Sequence, residues 1–157
     1  MKKLKIYLDT SVISYLFAED TPEKMEDTHL FWEDLINDKY DIFLSPVVLD
    51  EIQKCSETKR SDMFDKMKEI HYQILEKTDE VNLLAQKYLD SGALTEKSRN
   101  DCLHIAHAVI HNCDIIVSWN FKHIVNLKVI NKIKAVNTIN MYKEISIVSP
   151  VMMPKEL

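Results

Sequence analysis

Residues 4–11 read Leu-Lys-Ile-Tyr-Leu-Asp-Thr-Ser, a short run of strand-forming residues that stops at an acid. Isoleucine, tyrosine and leucine in such a run favour a buried strand, and Asp9 marks its end. Thr10 or Ser11 is predicted to cap a helix through Leu16, because short hydroxyl side chains bond the free N–H groups of a first helical turn. The segment therefore predicts a core strand that turns directly into a helix.

The same alternation continues along the chain. Further core strands are predicted at residues 41–45, 114–118 and 145–148. Helices are predicted between them, one of them starting at Ser45-Pro46 and another ending at Gly92. Strands that are separated by helices pair in parallel, because the chain must cross over between them. We therefore expect one α/β domain over residues 1–157, a three-layer α/β/α sandwich with a central parallel sheet.

The composition excludes several classes of protein. The chain has 157 residues and a single glycine, so it cannot form the glycine-rich loops that cradle nucleotide phosphates. Its three cysteines are irregularly spaced and form no C-x-x-C pair, which argues against a disulfide framework or a zinc ribbon. No signal segment and no run of about 18 apolar residues is present. We expect a cytoplasmic protein without a membrane segment.

The charge is unevenly distributed. The net charge is −5, but residues 1–96 carry 12 basic and 21 acidic side chains, whereas residues 97–157 carry eight and four. A mildly basic stretch is compatible with a solvated surface and with a surface that faces a polyanion. The charge alone does not separate the two.

Four polar residues are predicted to meet at one edge of the sheet. Asp9 ends the first strand, Asn120 follows the strand that ends at Ser118, Asp101 opens a helix, and Glu51 lies in the helix after the second strand. Ligands of parallel sheets bind at this carboxyl edge. Gathered carboxylates repel one another and call for a cation, and oxygen ligands select Mg²⁺ or Mn²⁺. Such ions activate water against phosphodiesters.

Four segments, taken in order, resemble the PIN domain family, and more narrowly its VapC-type toxin ribonucleases. They are residues 7–14 (Tyr-Leu-Asp-Thr-Ser-Val-Ile-Ser), 44–52 (Leu-Ser-Pro-Val-Val-Leu-Asp-Glu-Ile), 101–108 (Asp-Cys-Leu-His-Ile-Ala-His-Ala) and 114–124 (Asp-Ile-Ile-Val-Ser-Trp-Asn-Phe-Lys-His-Ile). The resemblance implies a nuclease that cleaves RNA with Mg²⁺ or Mn²⁺, a cognate antitoxin and a homodimer. It also implies that Asp9, Glu51 and Asp101 are the first three acidic ligands.

Asn120 departs from the family pattern, since many relatives have an aspartate there. An amide oxygen still ligates a hard cation but brings no charge, which puts a second metal ion in doubt. The rival hypothesis is therefore a PIN-fold scaffold that binds RNA or protein and has lost cleavage. Asp50 competes with Glu51 for the second ligand position, and the family pattern favours Glu51. Asp114 lies at the opposite end of its strand and is predicted to be structural.

Other interpretations of the polar and aromatic residues carry less weight. His107 and His111 are four residues apart, a spacing that can hold zinc, but no third ligand is evident, and a packed helix face explains them better. His104, one turn from Asp101, could line the site. The basic residues predicted to guide RNA are Lys97, Arg99 and Lys122. Three aromatic residues are predicted to pack in the fold rather than to stack on bases, namely Trp32, Trp119 and Phe121.

Two further enzyme classes fall behind. A haloacid-dehalogenase phosphatase needs a second aspartate where Ser11 stands. A receiver domain needs a pair of acids that the N-terminal segment lacks.

Overall fold

The computed structural model describes residues 2–154. Five strands form one sheet: β1 (Lys5–Leu8), β2 (Asp41–Leu44), β3 (Tyr72–Ile74), β4 (Ile115–Val117) and β5 (Ser146–Val148). The helices are α1 (Thr10–Ser14), α2 (Pro22–Ile36), α3 (Pro46–Gln53), α4 (Glu57–Met67), α5 (Asp79–Asp90), α6 (Arg99–Ile110) and α7 (Leu127–Ile139). Short 3₁₀ turns follow at Tyr15–Phe17, Glu96–Ser98 and Pro150–Met152.

The sheet runs in the order β3-β2-β1-β4-β5, and every pair of neighbours is parallel. Helices flank this sheet, so the predicted three-layer α/β/α fold with a central parallel sheet is confirmed. The first strand lies at its centre, and Ile6, Tyr7 and Leu8 are wholly buried. Burial on both faces explains why this strand reads as a continuous apolar run.

The strand order reverses beside β1. From β1 the chain proceeds through β2 and β3 towards one edge of the sheet, and then returns to place β4 and β5 on the other side. The loops after β1 and β4 therefore leave the sheet in different directions. Ligands of open parallel sheets usually bind at this point, and we call the region beyond the carboxyl ends of β1 and β4 the crevice.

Three local predictions need correction. The sequence analysis found four strands and missed β3, which has only three residues, all of them exposed at the sheet edge. Asp9 itself, rather than Thr10 or Ser11, is the N-cap of α1, because its carboxylate accepts the Ser11 N–H. The helix with Asp101 begins at Arg99, so Asp101 lies inside the first turn.

Two other local predictions are confirmed. Ser45 caps α3, with Pro46 at the first helical position. Gly92 lies just beyond the end of α5 with a φ of 79°, a left-handed conformation that glycine adopts without strain.

Candidate active site at the centre of the sheet

The pairing of β1 with β4 brings the first two polar groups of the site together. Leu8 is in register with Val117, so the next residues, Asp9 and Ser118, are neighbours at the carboxyl edge. The Asp9 N–H also donates to the carbonyl of Val117 at 3.3 Å. The first two polar groups of the site therefore lie where the strand order reverses.

Asp9 is held by hydroxyl and amide donors. Ser118 Oγ donates to its Oδ2 at 2.5 Å, while Ser11 donates to Oδ1 through both Oγ at 2.5 Å and the backbone N–H at 3.1 Å. The residue is only 3% exposed, and this burial raises the pKa of its carboxyl, against the opposing effects of His104 and the two serines. A positive charge beside a buried carboxylate of this kind stabilises its ionised form.

Glu51 extends from α3 towards the same crevice. Its Oε1 accepts a hydrogen bond from Thr10 Oγ1 at 2.7 Å and lies 2.6 Å from Nε2 of His104. Burial raises the pKa of Glu51, but the bonds from His104 and Thr10 outweigh it and lower the pKa overall. Asp50, the alternative second acid, is exposed.

His104 is an enclosed polar group of the site, with 2% of its surface exposed. Burial lowers its pKa, but the bond to Glu51 and the charges of Asp9, Glu51 and Asp101 raise the pKa above its ordinary value. Its other ring nitrogen, Nδ1, lies 2.7 Å from the hydroxyl of Tyr7. The histidine that the sequence placed near the site thus contacts one of its carboxylates directly.

Asp101 and Asn120 form the third part of the site. The Asn120 amide nitrogen donates to Oδ1 of Asp101 at 3.2 Å, and its amide oxygen accepts the backbone N–H of His123 at 2.9 Å. Burial raises the pKa of Asp101, with His104 and His123 acting in the opposite direction. Asn120 presents a donor to Asp101 here, which differs from the neutral ligand that the sequence predicts.

The donor chemistry of the site suits a hard divalent cation. Its three carboxylates supply only oxygen, and the charges of Asp9 and Glu51 act together to raise the pKa of Asp101, as like charges in one crevice do. The carboxylates are not, however, arranged as a complete set of metal ligands. Within residues 2–154, no group of three or more histidine, cysteine, aspartate or glutamate side chains is arranged closely enough to hold a metal ion.

A comparison with protein families decides the affiliation of the chain. The model of the PIN domain matches residues 6–122, which span β1 to the loop after β4 and contain all four candidate site residues. The chain belongs to the PIN domain family. The match agrees with the resemblance drawn from the four sequence segments.

Two solved structures share the fold of this PIN domain. A chain from VapBC2 of Rickettsia felis, bound to a DNA fragment from its promoter, has a TM-score of 0.54 and 14% identity, and the match covers 92% of this chain and 97% of that one. A chain from DNA-bound VapBC of Salmonella typhimurium has a TM-score of 0.56 and 13% identity, with 94% and 98% covered. No curated protein matches the sequence.

The other charged residues considered in the sequence have diverse environments. Lys97 and Lys122 are exposed, whereas Arg99 contacts Gln86 and Glu96 at 3.0 and 3.2 Å and so faces α5. Asp114 accepts the Lys5 N–H and pairs with Lys143 at the opposite edge of the sheet. Among the helices of residues 2–154, none is both long and apolar enough to cross a membrane.

The aromatic residues and the histidine stripe are mostly packing groups. Trp32 and Trp119 are buried, and Trp119 donates its indole N–H to Thr28 Oγ1, whereas Phe121 is 43% exposed beside the site. His107 is buried on α6, and its ring stacks against that of His111 at a centroid distance of 6.1 Å.

The sequence analysis of this PIN domain did not identify the hydroxyl groups that position its carboxylates. Thr10 and Ser11 were considered only as helix caps, and Ser118 and Tyr7 only as strand residues. A signal existed, because Ser118 directly follows a core strand and Thr10 and Ser11 directly follow Asp9. Hydroxyl groups at the carboxyl edge can reach the same crevice as the acids.

Proposed function

We propose that this PIN domain is a Mg²⁺- or Mn²⁺-dependent endoribonuclease that hydrolyses RNA phosphodiesters. The observation that carries the proposal is the position of Asp9, Glu51 and Asp101 in one crevice, at the reversal of strand order, in a chain of this family. The basic C-terminal third, with Lys97 and Lys122 exposed, supports a polyanionic substrate.

The chain's own residues have separate roles in this proposal. Asp9, Glu51 and Asp101 would hold the cation through carboxylate oxygens, with Asn120 as a neutral group beside Asp101. A divalent cation in such a site supplies positive charge to a phosphoryl oxygen and activates water. Ser11 and Ser118 keep the Asp9 carboxylate oriented, and Thr10 does the same for Glu51. Lys97 and Lys122 would guide the RNA backbone.

The first test is cleavage of RNA with Mg²⁺ or Mn²⁺ by the parent chain and by Asp9→Asn. We expect the variant to lose cleavage by on the order of 100-fold, because it removes a charged cation ligand. Asp114→Asn is the matched control, since this acid pairs with Lys143 at the opposite edge of the sheet and the change leaves the crevice intact. Metal-dependent cutting that survives in Asp9→Asn would overturn the proposal.

A second pair of variants tests the assignment of the second acid. Glu51→Gln removes a carboxylate that contacts Thr10 and His104, whereas Asp50→Asn removes an exposed one from the same helix. Cleavage should fall in Glu51→Gln and stay within about twofold of the parent in Asp50→Asn. The reverse result would assign the role to Asp50.

A scaffold without cleavage is the second candidate function. It is favoured by Asn120, whose oxygen is engaged by His123 and whose nitrogen faces Asp101, so that the site has one carboxylate fewer than in many relatives. RNA binding without cutting of any RNA, with either ion, would support the scaffold over the nuclease.

We propose further that the chain is the toxin of a toxin–antitoxin pair in the cytoplasm, and that it forms a homodimer. The fold that it shares with chains of two VapBC complexes supports this assignment. Co-expression with the product of a short neighbouring reading frame should give a stable complex and suppress RNA cleavage. Size-exclusion chromatography with light scattering tests the dimer, and a monomeric mass at micromolar concentration would contradict it.

A further inference from the structure

We infer that a buried chain of three side chains, Ser45, Tyr7 and His104, holds the Glu51 carboxylate in position. We call this set the Ser45–Tyr7–His104 chain. The inference rests on the proposed function in one respect, namely that Glu51 binds the cation. The three residues are positioning residues, because they act through Glu51 and touch no substrate in this role.

The geometry is a continuous path of short contacts. Ser45 Oγ lies 2.7 Å from the Tyr7 hydroxyl, which lies 2.7 Å from His104 Nδ1, and His104 Nε2 lies 2.6 Å from Glu51 Oε1. All three members of the chain are buried, with 0 to 2% of their surface exposed. Bulk water therefore cannot replace a missing member, and the loss of any link leaves a buried polar atom unsatisfied.

The direction of the last bond is fixed by chemistry. A carboxylate only accepts hydrogen bonds, so the Nε2–H of His104 donates to Glu51 whether the imidazole is neutral or charged. With a neutral ring, Tyr7 donates to Nδ1, Ser45 donates to Tyr7, and the Val47 N–H donates to Ser45 Oγ at 3.3 Å. Each group then has a partner. The chain thus ends at a backbone N–H in the first turn of α3, the helix that carries Glu51.

The chain connects elements that are distant in sequence. Tyr7 belongs to the central strand β1 and His104 to α6. Ser45 is the N-cap of α3, and Glu51 lies further along the same helix. Without the Ser45–Tyr7–His104 chain, the Glu51 carboxylate would keep the bond from Thr10, with Asn100 nearby, on a half-buried side chain with three rotatable bonds. Groups that orient a metal ligand in this way change metal affinity or activity by about 10- to 100-fold.

Two substitutions at His104 distinguish the roles of its two ring nitrogens. The amide nitrogen of glutamine lies as many bonds from Cα as Nε2 does, so His104→Gln can still donate to Glu51. The amide of asparagine matches Nδ1 instead, so His104→Asn cannot reach Glu51. His107→Asn is the matched control on the same helix, because His107 is equally buried and its Nδ1 has no hydrogen-bond partner among the described residues. Tyr7→Phe removes the middle link while it keeps the buried ring.

The first readout uses the metal-free chain and needs no activity. In nuclear magnetic resonance spectra, the signal of the Glu51 side-chain carboxyl carbon should shift in His104→Asn and stay close to the parent value in His104→Gln and His107→Asn. Tyr7→Phe should shift the His104 Nδ1 signal. An unchanged Glu51 signal in His104→Asn, or an unchanged Nδ1 signal in a folded Tyr7→Phe, overturns the inference. Tyr7→Phe also serves if His104→Asn does not fold.

The second readout is Mn²⁺ affinity, measured by titration calorimetry. We expect the affinity to fall about tenfold or more in His104→Asn and to recover in His104→Gln, with His107→Asn near the parent value. Equal affinities in all four proteins overturn the positioning role. If the parent binds no Mn²⁺, the proposed metal site fails, whereas the carbon and nitrogen signals still decide whether the chain holds Glu51.

Discussion

Asn120 shows at the residue scale how an amide changes a carboxylate crevice. Its nitrogen donates to Asp101 and its oxygen accepts the His123 N–H, so both ends of the amide are used within the chain. An aspartate at this position could still accept from His123 but would offer a second negative charge to Asp101 in place of a donor. The side chain therefore reduces the repulsion that a cation would otherwise have to offset.

Asn120→Asp should make the stability of the protein depend more strongly on a bound divalent ion. Without a divalent ion, loss of the amide donor and the added charge should lower the free energy of unfolding by about 1 to 3 kcal/mol. With Mn²⁺, the variant should gain more stability than the parent, because a fourth carboxylate strengthens binding. Urea unfolding of both proteins with and without Mn²⁺ measures this, and an identical response to the ion in both would contradict it.

The burial of His107 leads to a prediction of how the stability of the protein depends on pH. It is buried, its Nδ1 has no hydrogen-bond partner within residues 2–154, and burial together with the neighbouring His111 lowers its pKa from 6.5 to about 4. As the pH falls below 6.5, the unfolded chain takes up this proton before the folded one does. The histidine therefore lowers stability progressively between pH 6.5 and about 4, by about 2 kcal/mol at pH 5, and has no effect above pH 7.

His107→Leu cannot take up a proton and isolates this effect. Its loss of stability between pH 7 and pH 5, measured by urea unfolding, should be about 2 kcal/mol smaller than that of the parent. Because the comparison is between two proteins, the titration of groups that do not interact with residue 107 cancels. An equal loss in both would assign the pH dependence to other groups.

At the element scale, two helix starts differ in a way that can be measured. Thr78 caps α5 with a side-chain bond from the Val81 N–H at 3.3 Å, whereas Ser56 precedes α4 without any side-chain capping bond. Thr78→Ala should lower the free energy of unfolding by about 1 kcal/mol, and Ser56→Ala by clearly less. Thermal or urea unfolding compares them, and equal losses would show that the Thr78 bond contributes nothing.

Elements with an internal signal could be predicted from sequence, and elements defined by their neighbours could not. The strands β1, β2, β4 and β5 are apolar runs, and α3 and α5 have cap residues at their starts. By contrast, β3 pairs with the free edge of β2, and its three exposed residues, Tyr72, Gln73 and Ile74, are too short a segment to predict a strand. Strand propensity of such a segment depends on context.

The candidate site divides in the same way. The approach of Asp9, Glu51 and Asp101 to one edge of the sheet could be predicted, because parallel strands end at a common edge, and their role as metal ligands stays a prediction. The Asn120 amide orientation and the bond between His104 and Glu51 could not, since they depend on side-chain directions that spacing does not fix. A family pattern favoured Glu51 over Asp50, and the contact with Thr10 gives this preference a physical basis.

For the whole molecule, a bound ion should act as a stabiliser. Mn²⁺ at about 100 times its dissociation constant should add about 2.7 kcal/mol to the stability of the parent, because the proposed ligands Asp9, Glu51 and Asp101 approach one another only in the folded chain. Asp9→Asn should gain much less, and Asp114→Asn as much as the parent. Thermal unfolding with increasing Mn²⁺ tests this, and an equal rise in all three proteins would place the ion elsewhere.

The central position of β1 affects when the crevice can exist during synthesis. The strand is made more than a hundred residues before its partner β4, and the two pair with Ile6 beside Ile115. Asp9 lacks its Ser118 hydroxyl, and Asp101 lacks Asn120, until synthesis has passed β4. A nascent chain therefore carries no complete site before β4 and Asn120 have been made, so a fragment that ends before them cannot have the proposed activity.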